Sequence, residues 1–237
     1  MFPRSSRERR REIISWWSGK LLRLLAIELV VEGPAPAANV AMIVAPNHVS
    51  WLDTFAISSV RSTRFIAKSE IRDWPIAGWV TQKAGTLFIR RAKRHDTARI
   101  NELVHAALAE GDCVGFFPEG TTSEGDKLLK FHSSLFEPAV ANGAPVQPVA
   151  IRYEHPDGTL CRAMSFVGDL SFQQSLGLVI RQKRTVVRVR FATPVDPRGL
   201  NRREVARIAH QRVASLLGLP EADTAPTPRS GPPGAPL

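Results

Sequence analysis

Short apolar runs alternate with longer amphipathic segments from about residue 40 to residue 217. The runs are rich in β-branched and aromatic residues, which is typical of buried strands, whereas the segments between them repeat apolar positions every three or four residues, which is typical of helices. The predicted strands span residues 40–45, 64–67, 86–89, 113–117, 146–151 and 186–191, and the predicted helices span residues 52–60, 76–83, 96–109, 134–142, 172–182 and 202–217. This alternation predicts an α/β fold of three layers, α/β/α, with a mostly parallel or mixed sheet.

The amino-terminal segment has a different pattern. Arginines at positions 4, 7, 9, 10 and 11 precede an apolar stretch at residues 13–31 that Lys20, Arg23 and Glu28 interrupt. These charges break the stretch too often for a transmembrane helix, which needs about 20 apolar residues. Its helical projection and the adjacent Trp16 and Trp17 instead predict an amphipathic helix that associates with a membrane surface. A helix that packs partly on its own domain is the alternative.

The composition indicates one catalytic domain. The chain has 237 residues, 43% of them apolar, and this content can form one sizeable core. We expect a basic segment with the interfacial helix at residues 1–34 and one folded domain at residues 35–219. The remaining residues, 220–237, are rich in proline, alanine and glycine and are expected to form a disordered tail.

The formal net charge of +10 predicts an anionic partner, such as an anionic membrane surface, a phosphorylated substrate or a nucleic acid. A nucleic acid is disfavoured, because the chain has one tyrosine and does not interleave basic with aromatic residues. Cys113 and Cys161 are the only cysteines. Neither forms a close pair with a histidine at the spacing of zinc ligands, so no metal site is expected.

Two polar motifs directly follow predicted strands. Residues 47–53 read NHVSWLD, and residues 117–123 read FPEGTTS. The carboxyl ends of parallel strands meet at one edge of an open α/β sheet, and ligands bind there. The two motifs are therefore expected to contribute to one site.

These motifs, together with GTLFIRR at residues 85–91 and VQPVAI at residues 146–151, stand in an order that resembles the glycerolipid acyltransferase family and its HxxxxD motif. The resemblance extends from about residue 40 to about residue 152. It implies an O-acyltransferase without a cofactor, which moves a fatty acyl group from acyl-CoA or acyl carrier protein to a lysolipid. The expected acceptor is the free sn-2 hydroxyl of 1-acylglycerol-3-phosphate, giving phosphatidate for phospholipid biosynthesis. The expected location is the cytoplasmic face of the inner membrane, as a peripheral or monotopic protein.

His48 and Asp53 are the predicted catalytic residues. Acyl transfer to an alcohol needs a base that removes the hydroxyl proton, and imidazole is suited to that task near neutral pH. Asp53 is expected to hold the Nδ1 hydrogen of His48 and to steady the charged ring. The substrate hydroxyl takes the place of a protein nucleophile, and the Gly-x-Ser-x-Gly motif of serine hydrolases does not occur in the sequence.

The resemblance also implies five substrate-binding residues. Arg91 is assigned to the acceptor phosphate, whose oxygens a guanidinium can contact two at a time. Glu119, Gly120 and Thr121 are assigned to the glycerophosphate moiety, with Glu119 orienting Arg91 or contacting the glycerol hydroxyl. Pro148 is assigned to the acyl group, and a proline within a strand predicts a sheet edge or a bulge beside the site.

Alternatives in three classes stay open on the sequence. The first alternative is an enzyme whose acceptor is another lysolipid, such as lyso-ornithine lipid or a lysophospholipid. The second is a non-catalytic protein that binds lipids or membranes and has kept the fold. The third is a basic nucleic-acid-binding protein.

Overall fold

The computed structural model describes residues 6–37, 40–68, 86–89 and 95–220. Three of the sequence predictions fall outside these ranges. They are the helix at residues 76–83, the position of Arg91, and the tail beyond Leu219 with the exception of Pro220.

A mixed β-sheet organises the described residues. Its strands are β1 (Ile27–Glu32), β2 (Met42–Pro46), β3 (Thr63–Lys68), β4 (Leu87–Ile89), β5 (Cys113–Gly115), β6 (Val146–Glu154) and β7 (Thr185–Phe191). Their order across the sheet is β1-β7-β6-β2-β5-β3-β4. The pair β6–β7 is antiparallel, and the other neighbouring strands are parallel. The carboxyl ends of β2, β3, β4, β5 and β6 therefore lie at the same edge of the sheet.

Helices cover both faces of this sheet. They are α1 (Arg7–Leu24), α2 (Asp53–Val60), α3 (His95–Ala109), α4 (Glu137–Asn142), α5 (Phe172–Ile180) and α6 (Arg202–Leu217), with 3-10 turns at Ser133–Phe136 and Arg162–Met164. Ile43 and Ala45 of β2 pack in a core shared with α3, α4 and α6, whereas Met42 and Val44 pack in a second core shared with α1, α2 and α5. This alternation along one strand separates the two helical layers, and it confirms the predicted three-layer α/β fold.

Local signals set the bounds of the carboxyl-terminal helix. The Asn201 side chain accepts from the backbone N–H of Glu204, whose own side chain accepts from the backbone N–H of Asn201. Gly218 ends the helix with a left-handed backbone, φ 69°. The capping box and the glycine act within one turn of the helix ends, and the observed helix Arg202–Leu217 matches the predicted one.

The prediction of one apolar helix reaching residue 31 is wrong. The helix α1 ends at Leu24, Ala26 turns the chain with a φ of 56°, and Ile27–Glu32 form β1 beside β7. The strand forms because β7 offers an open edge, and Arg188 and Arg190 of β7 pair with Glu32 at 2.6 and 2.8 Å. The sheet therefore begins before residue 35, the expected start of the folded domain.

The helix α1 packs on the domain and also leaves apolar side chains exposed. Ser18 and Leu22 are buried against α2, whereas Trp16, Trp17 and Leu24 are 54%, 55% and 71% exposed. None of the helices within the described residues combines the length and the apolarity needed to cross a bilayer.

The arginines at the start of α1 are partly neutralised. Arg7 pairs with Glu110 at 3.0 Å, and Arg11 pairs with Asp112 at 2.6 Å. These pairs connect α1 to the segment between α3 and β5, so part of the amino-terminal basic cluster serves the packing of the fold.

Candidate active site

His48 and Asp53 form a hydrogen-bonded pair at the carboxyl end of β2. The Nδ1 of His48 lies 2.8 Å from Oδ2 of Asp53, and because a carboxylate only accepts, Nδ1 carries the hydrogen. The same Oδ2 accepts the backbone N–H groups of Val49 and Ser50 at 2.7 and 2.9 Å. Asp53 is the first residue of α2, and the turn before that helix brings its carboxylate back to the ring.

The pair is anchored to the neighbouring strand β6. The Asn47 side chain donates to the carbonyl of Ile151 and accepts from its N–H, at 3.0 and 2.7 Å, so it continues the sheet pairing beyond the end of β2. Tyr153, two residues farther along β6, donates its hydroxyl to Oδ1 of Asp53 at 2.8 Å. Both oxygens of the buried Asp53 therefore have donors.

An aromatic stack holds the plane of the His48 ring. The ring lies 3.6 Å from that of Phe117 at an angle of 14°, and Phe117 stacks in turn on Phe65 at 5.2 Å and 11°. Gly115 makes this stack possible, because a Cβ at that position would lie 2.7 Å from the Phe65 ring. The glycine of β5 thus lets the aromatic side chains approach the sheet.

Glu119 connects two backbone segments inside the protein. It is fully buried, and its two carboxyl oxygens accept the backbone N–H groups of His48 and Leu129 at 2.6 and 2.9 Å. Burial raises the pKa of Glu119 to about 8, the two N–H donors oppose that rise, and the nearby Asp53 adds to it. The assignment of Glu119 to Arg91 or to the glycerol hydroxyl stays a prediction, and within the described residues its carboxyl oxygens accept from these two backbone N–H groups. Glu119 joins the His48 backbone to the loop that follows residue 119.

The turn after Glu119 lies beside the His48 backbone. Gly120 has a φ of 72°, a conformation that favours glycine. Thr121 is exposed, whereas the Thr122 hydroxyl donates to the carbonyl of Phe166. The backbone N–H of Ser123 donates to the carbonyl of His48 at 2.8 Å. The two motifs predicted to share a site are therefore joined directly.

Comparison with known proteins extends this picture. A family model described as Acyltransferase matches residues 28–152, which is more than half of the chain. The chain belongs to the acyltransferase family.

Two relatives of this acyltransferase carry different names. A lyso-ornithine lipid O-acyltransferase of Pseudomonas aeruginosa is 39% identical over 88% of this chain and 79% of its own length. A 1-acyl-sn-glycerol-3-phosphate acyltransferase of Neisseria meningitidis is 42% identical over 79% of this chain and 73% of its own length.

A solved structure also matches, that of the 1-acyl-sn-glycerophosphate acyltransferase PlsC from Thermotoga maritima. Its TM-score is 0.63 at 27% identity, with 91% of this chain and 84% of the other covered. The expectation of an acyltransferase is confirmed. The acceptors in the names of these two relatives differ, so the names support two candidate acceptors.

Pro148 of the acyltransferase does not lie at a sheet edge. It is buried in β6, between β2 and β7, and pairs with Ala45 in the interior of the sheet. The backbone N–H of Ala192 donates to the Pro148 carbonyl at 3.1 Å, but proline has no N–H that could donate to the Ala192 carbonyl. The side-chain amide of Gln147 donates to the Ala192 carbonyl instead. The prediction of an edge or bulge was wrong because this neighbouring side chain supplies the missing donor.

Arg91 lies outside the described residues, so its assignment stays a prediction. Among the described residues of the acyltransferase site, sequence reasoning missed Tyr153 and Phe117 as partners of the pair. Tyr153 is the only tyrosine of the chain and follows the block at residues 146–151 by two positions, which was a usable signal. Phe117 was part of a recognised motif, but its stacking on His48 depends on the tertiary structure.

Proposed function

We propose that this acyltransferase transfers a fatty acyl group from a thioester donor to the free hydroxyl of a lysolipid, with His48 as the general base. The supporting observation is the geometry of the catalytic pair. Nδ1 of His48 is held by Asp53 at 2.8 Å, which leaves Nε2 to accept a proton. The His48 side chain is 20% exposed whereas that of Asp53 is fully buried, so substrate has access to the base and not to the carboxylate.

The proposed reaction proceeds through a tetrahedral intermediate. The lysolipid oxygen attacks the thioester carbonyl carbon while its proton moves to Nε2 of His48. Asp53 stabilises the resulting imidazolium. When the intermediate collapses, the carbon–sulfur bond breaks and the proton passes from His48 to the leaving thiolate. The products are the acylated lipid and a free thiol.

The first candidate acceptor is 1-acylglycerol-3-phosphate, whose sn-2 acylation gives phosphatidate. The Neisseria relative supports it by name, and a guanidinium at Arg91 suits the acceptor phosphate. The second candidate is lyso-ornithine lipid, supported by the name of the Pseudomonas relative. The proposed donor is acyl-CoA or acyl carrier protein.

The proposed location is peripheral, on an anionic membrane at the cytoplasmic face. The supporting feature is the exposed side of α1, defined by Trp16, Trp17, Lys20 and Leu24. The ammonium of Lys20 lies 4.9 Å from the Trp16 ring centre. Indole rings settle at the depth of lipid headgroups, and basic side chains add about 1 kcal/mol each near an anionic surface.

Thiol release from acyl-CoA tests the chemistry. Wild-type protein in lipid vesicles should release thiol only when a lysolipid is supplied, and His48→Ala should abolish that release. His105→Ala is the matched control, because His105 is exposed on α3 and bonds Asn142. Wild-type rates in His48→Ala would contradict the base role.

A panel of lysolipids in the same assay tests the acceptor. If 1-acylglycerol-3-phosphate is the substrate, Arg91→Ala should raise KM for it by at least about tenfold, since a charge-assisted pair is lost. It should leave KM for phosphate-free lyso-ornithine lipid within about twofold. Faster turnover of lyso-ornithine lipid by wild-type protein would favour the second candidate.

Flotation with anionic vesicles tests the membrane contact. Replacing Trp16 and Trp17 by alanine should reduce the vesicle-bound fraction, because both indoles are more than half exposed. Ile180→Ala is the control, since Ile180 is 62% exposed on α5 and lies outside α1. Equal binding of the double variant and the control would contradict the proposed contact.

A further inference from the structure

Tyr153 is the only tyrosine in the chain, and it contacts the catalytic carboxylate. It lies in β6 with 1% of its surface exposed. Its hydroxyl donates to Oδ1 of Asp53 at 2.8 Å. A buried hydroxyl aimed at a carboxylate has a larger effect than one in water, because the surrounding protein screens the interaction weakly.

The two oxygens of Asp53 have different partners. Oδ2 accepts from His48, Val49 and Ser50, all in the turn between β2 and α2. Oδ1 accepts from Tyr153, which belongs to another strand. The turn alone fixes one oxygen, and the carboxylate plane is fixed only when the second oxygen also has a donor.

Tyr153 remains a donor over the range of pH in which acyl transfer is measured. Burial and the adjacent Asp53 carboxylate raise the pKa of the phenol well above its ordinary value. The phenol therefore keeps the hydrogen that it donates to Asp53. Besides Tyr153, the ionisable groups that face the His48–Asp53 pair include Glu119, which comes from the loop after β5.

We propose that Tyr153 is a positioning residue for the base. Its hydroxyl holds Asp53 so that Oδ2 meets Nδ1 of His48, and it withdraws negative charge from the carboxylate so that the proton taken up by His48 is not held too tightly. This inference rests on the base role proposed for His48. It predicts that the donor strength of residue 153 sets the acidic limb of the pH–rate profile.

The single tyrosine permits a site-specific test. Growth on 3-fluorotyrosine replaces only residue 153, and fluorine makes the phenol a stronger hydrogen-bond donor while keeping its shape. Asp53 should then hold the imidazolium less tightly, and the acidic limb of kcat/KM for the lysolipid should move to lower pH by a few tenths of a unit. Tyr153→Phe removes the donor, so it should move the limb to higher pH and lower kcat about tenfold, with KM nearly unchanged.

Thr63→Val is the matched control. The Thr63 hydroxyl is also buried and donates to the Arg61 carbonyl at 2.7 Å, at the opposite end of the sheet. The acidic limb of the pH–rate profile and the kcat of Thr63→Val should equal those of the wild type. If Tyr153→Phe fails to fold, the fluorotyrosine protein alone decides, because it retains the hydroxyl.

The inference is supported if the acidic limb moves to lower pH in the 3-fluorotyrosine protein and to higher pH in Tyr153→Phe. Limbs that do not move, or that move in the same direction in both proteins, would overturn it. A double variant gives an independent measure. Tyr153→Phe should add less than about twofold to the loss of kcat in Asp53→Asn, because both changes act on one hydrogen-bonded unit. Additive losses would overturn the inference. Failure of the proposed function is distinguishable, since wild-type protein would then release no lysolipid-dependent thiol.

Discussion

Replacing Glu119 by glutamine should change how the stability of the protein depends on pH. Burial raises the pKa of Glu119 from an ordinary 4.5 to about 8. Between these values the folded chain keeps a proton that the unfolded chain has released. The free energy of unfolding therefore falls as pH rises through this window, by up to about 1.4 kcal/mol per pH unit.

Glutamine cannot titrate, so the contribution of Glu119 is the difference between wild type and variant. From about pH 5.5 to about pH 7.5, the stability of wild type relative to Glu119→Gln should fall by roughly 2.5 kcal/mol. At all pH values the variant also loses one of the two hydrogen bonds that Glu119 accepts, because an amide presents only one acceptor to the N–H groups of His48 and Leu129. That loss should cost about 1–3 kcal/mol.

Urea unfolding followed by tryptophan fluorescence measures both effects. Each variant is unfolded at three pH values in one detergent, and the free energies are compared at each pH. Glu137→Gln is the control for removing a carboxylate, because Glu137 pairs with Arg202 at the surface, at 3.1 Å. A difference between wild type and Glu119→Gln that stays within about 0.5 kcal/mol across this range would refute the reasoning from burial.

Three further substitutions probe the site. Asp53→Asn should lower kcat by about 10³ to 10⁴ with the fold retained, since an amide no longer stabilises the imidazolium; a loss below about tenfold in single-turnover kinetics would contradict this. Gly120→Ala should cost about 1–2 kcal/mol in thermal unfolding and also lower activity, because its φ is 72° and the new Cβ would lie 3.2 Å from the His132 ring. Gly199→Ala, with a φ of 78° and open space around it, should show the stability loss alone. Phe117→Leu should lower kcat about tenfold without unfolding the protein, because it removes the ring stacked at 3.6 Å on the imidazole of His48; unchanged kcat would count against a role of this stacking in activity.

The sequence by itself determined the α/β architecture, most element positions in the described residues, and the pairing of His48 with Asp53. These features depend on signals within a few residues, such as the capping box at Asn201 and the return of Asp53 to the turn after His48. The shared site also followed from local information, because both motifs come directly after strands. Carboxyl ends of parallel strands meet at one edge whatever the rest of the chain does.

The tertiary structure decided which distant groups meet. Glu119 reaches the His48 backbone from 71 residues away, and Tyr153 reaches Asp53 from 100 residues away. Residues 27–32 form a strand and not part of the predicted helix, because the edge of β7 was available to pair with them. Pro148 is accommodated inside the sheet because Gln147 replaces its missing donor. Hydrophobic periodicity predicts that a residue is buried, but a buried polar group must find its partner in space, and strand order and packing alone determine which partner that is.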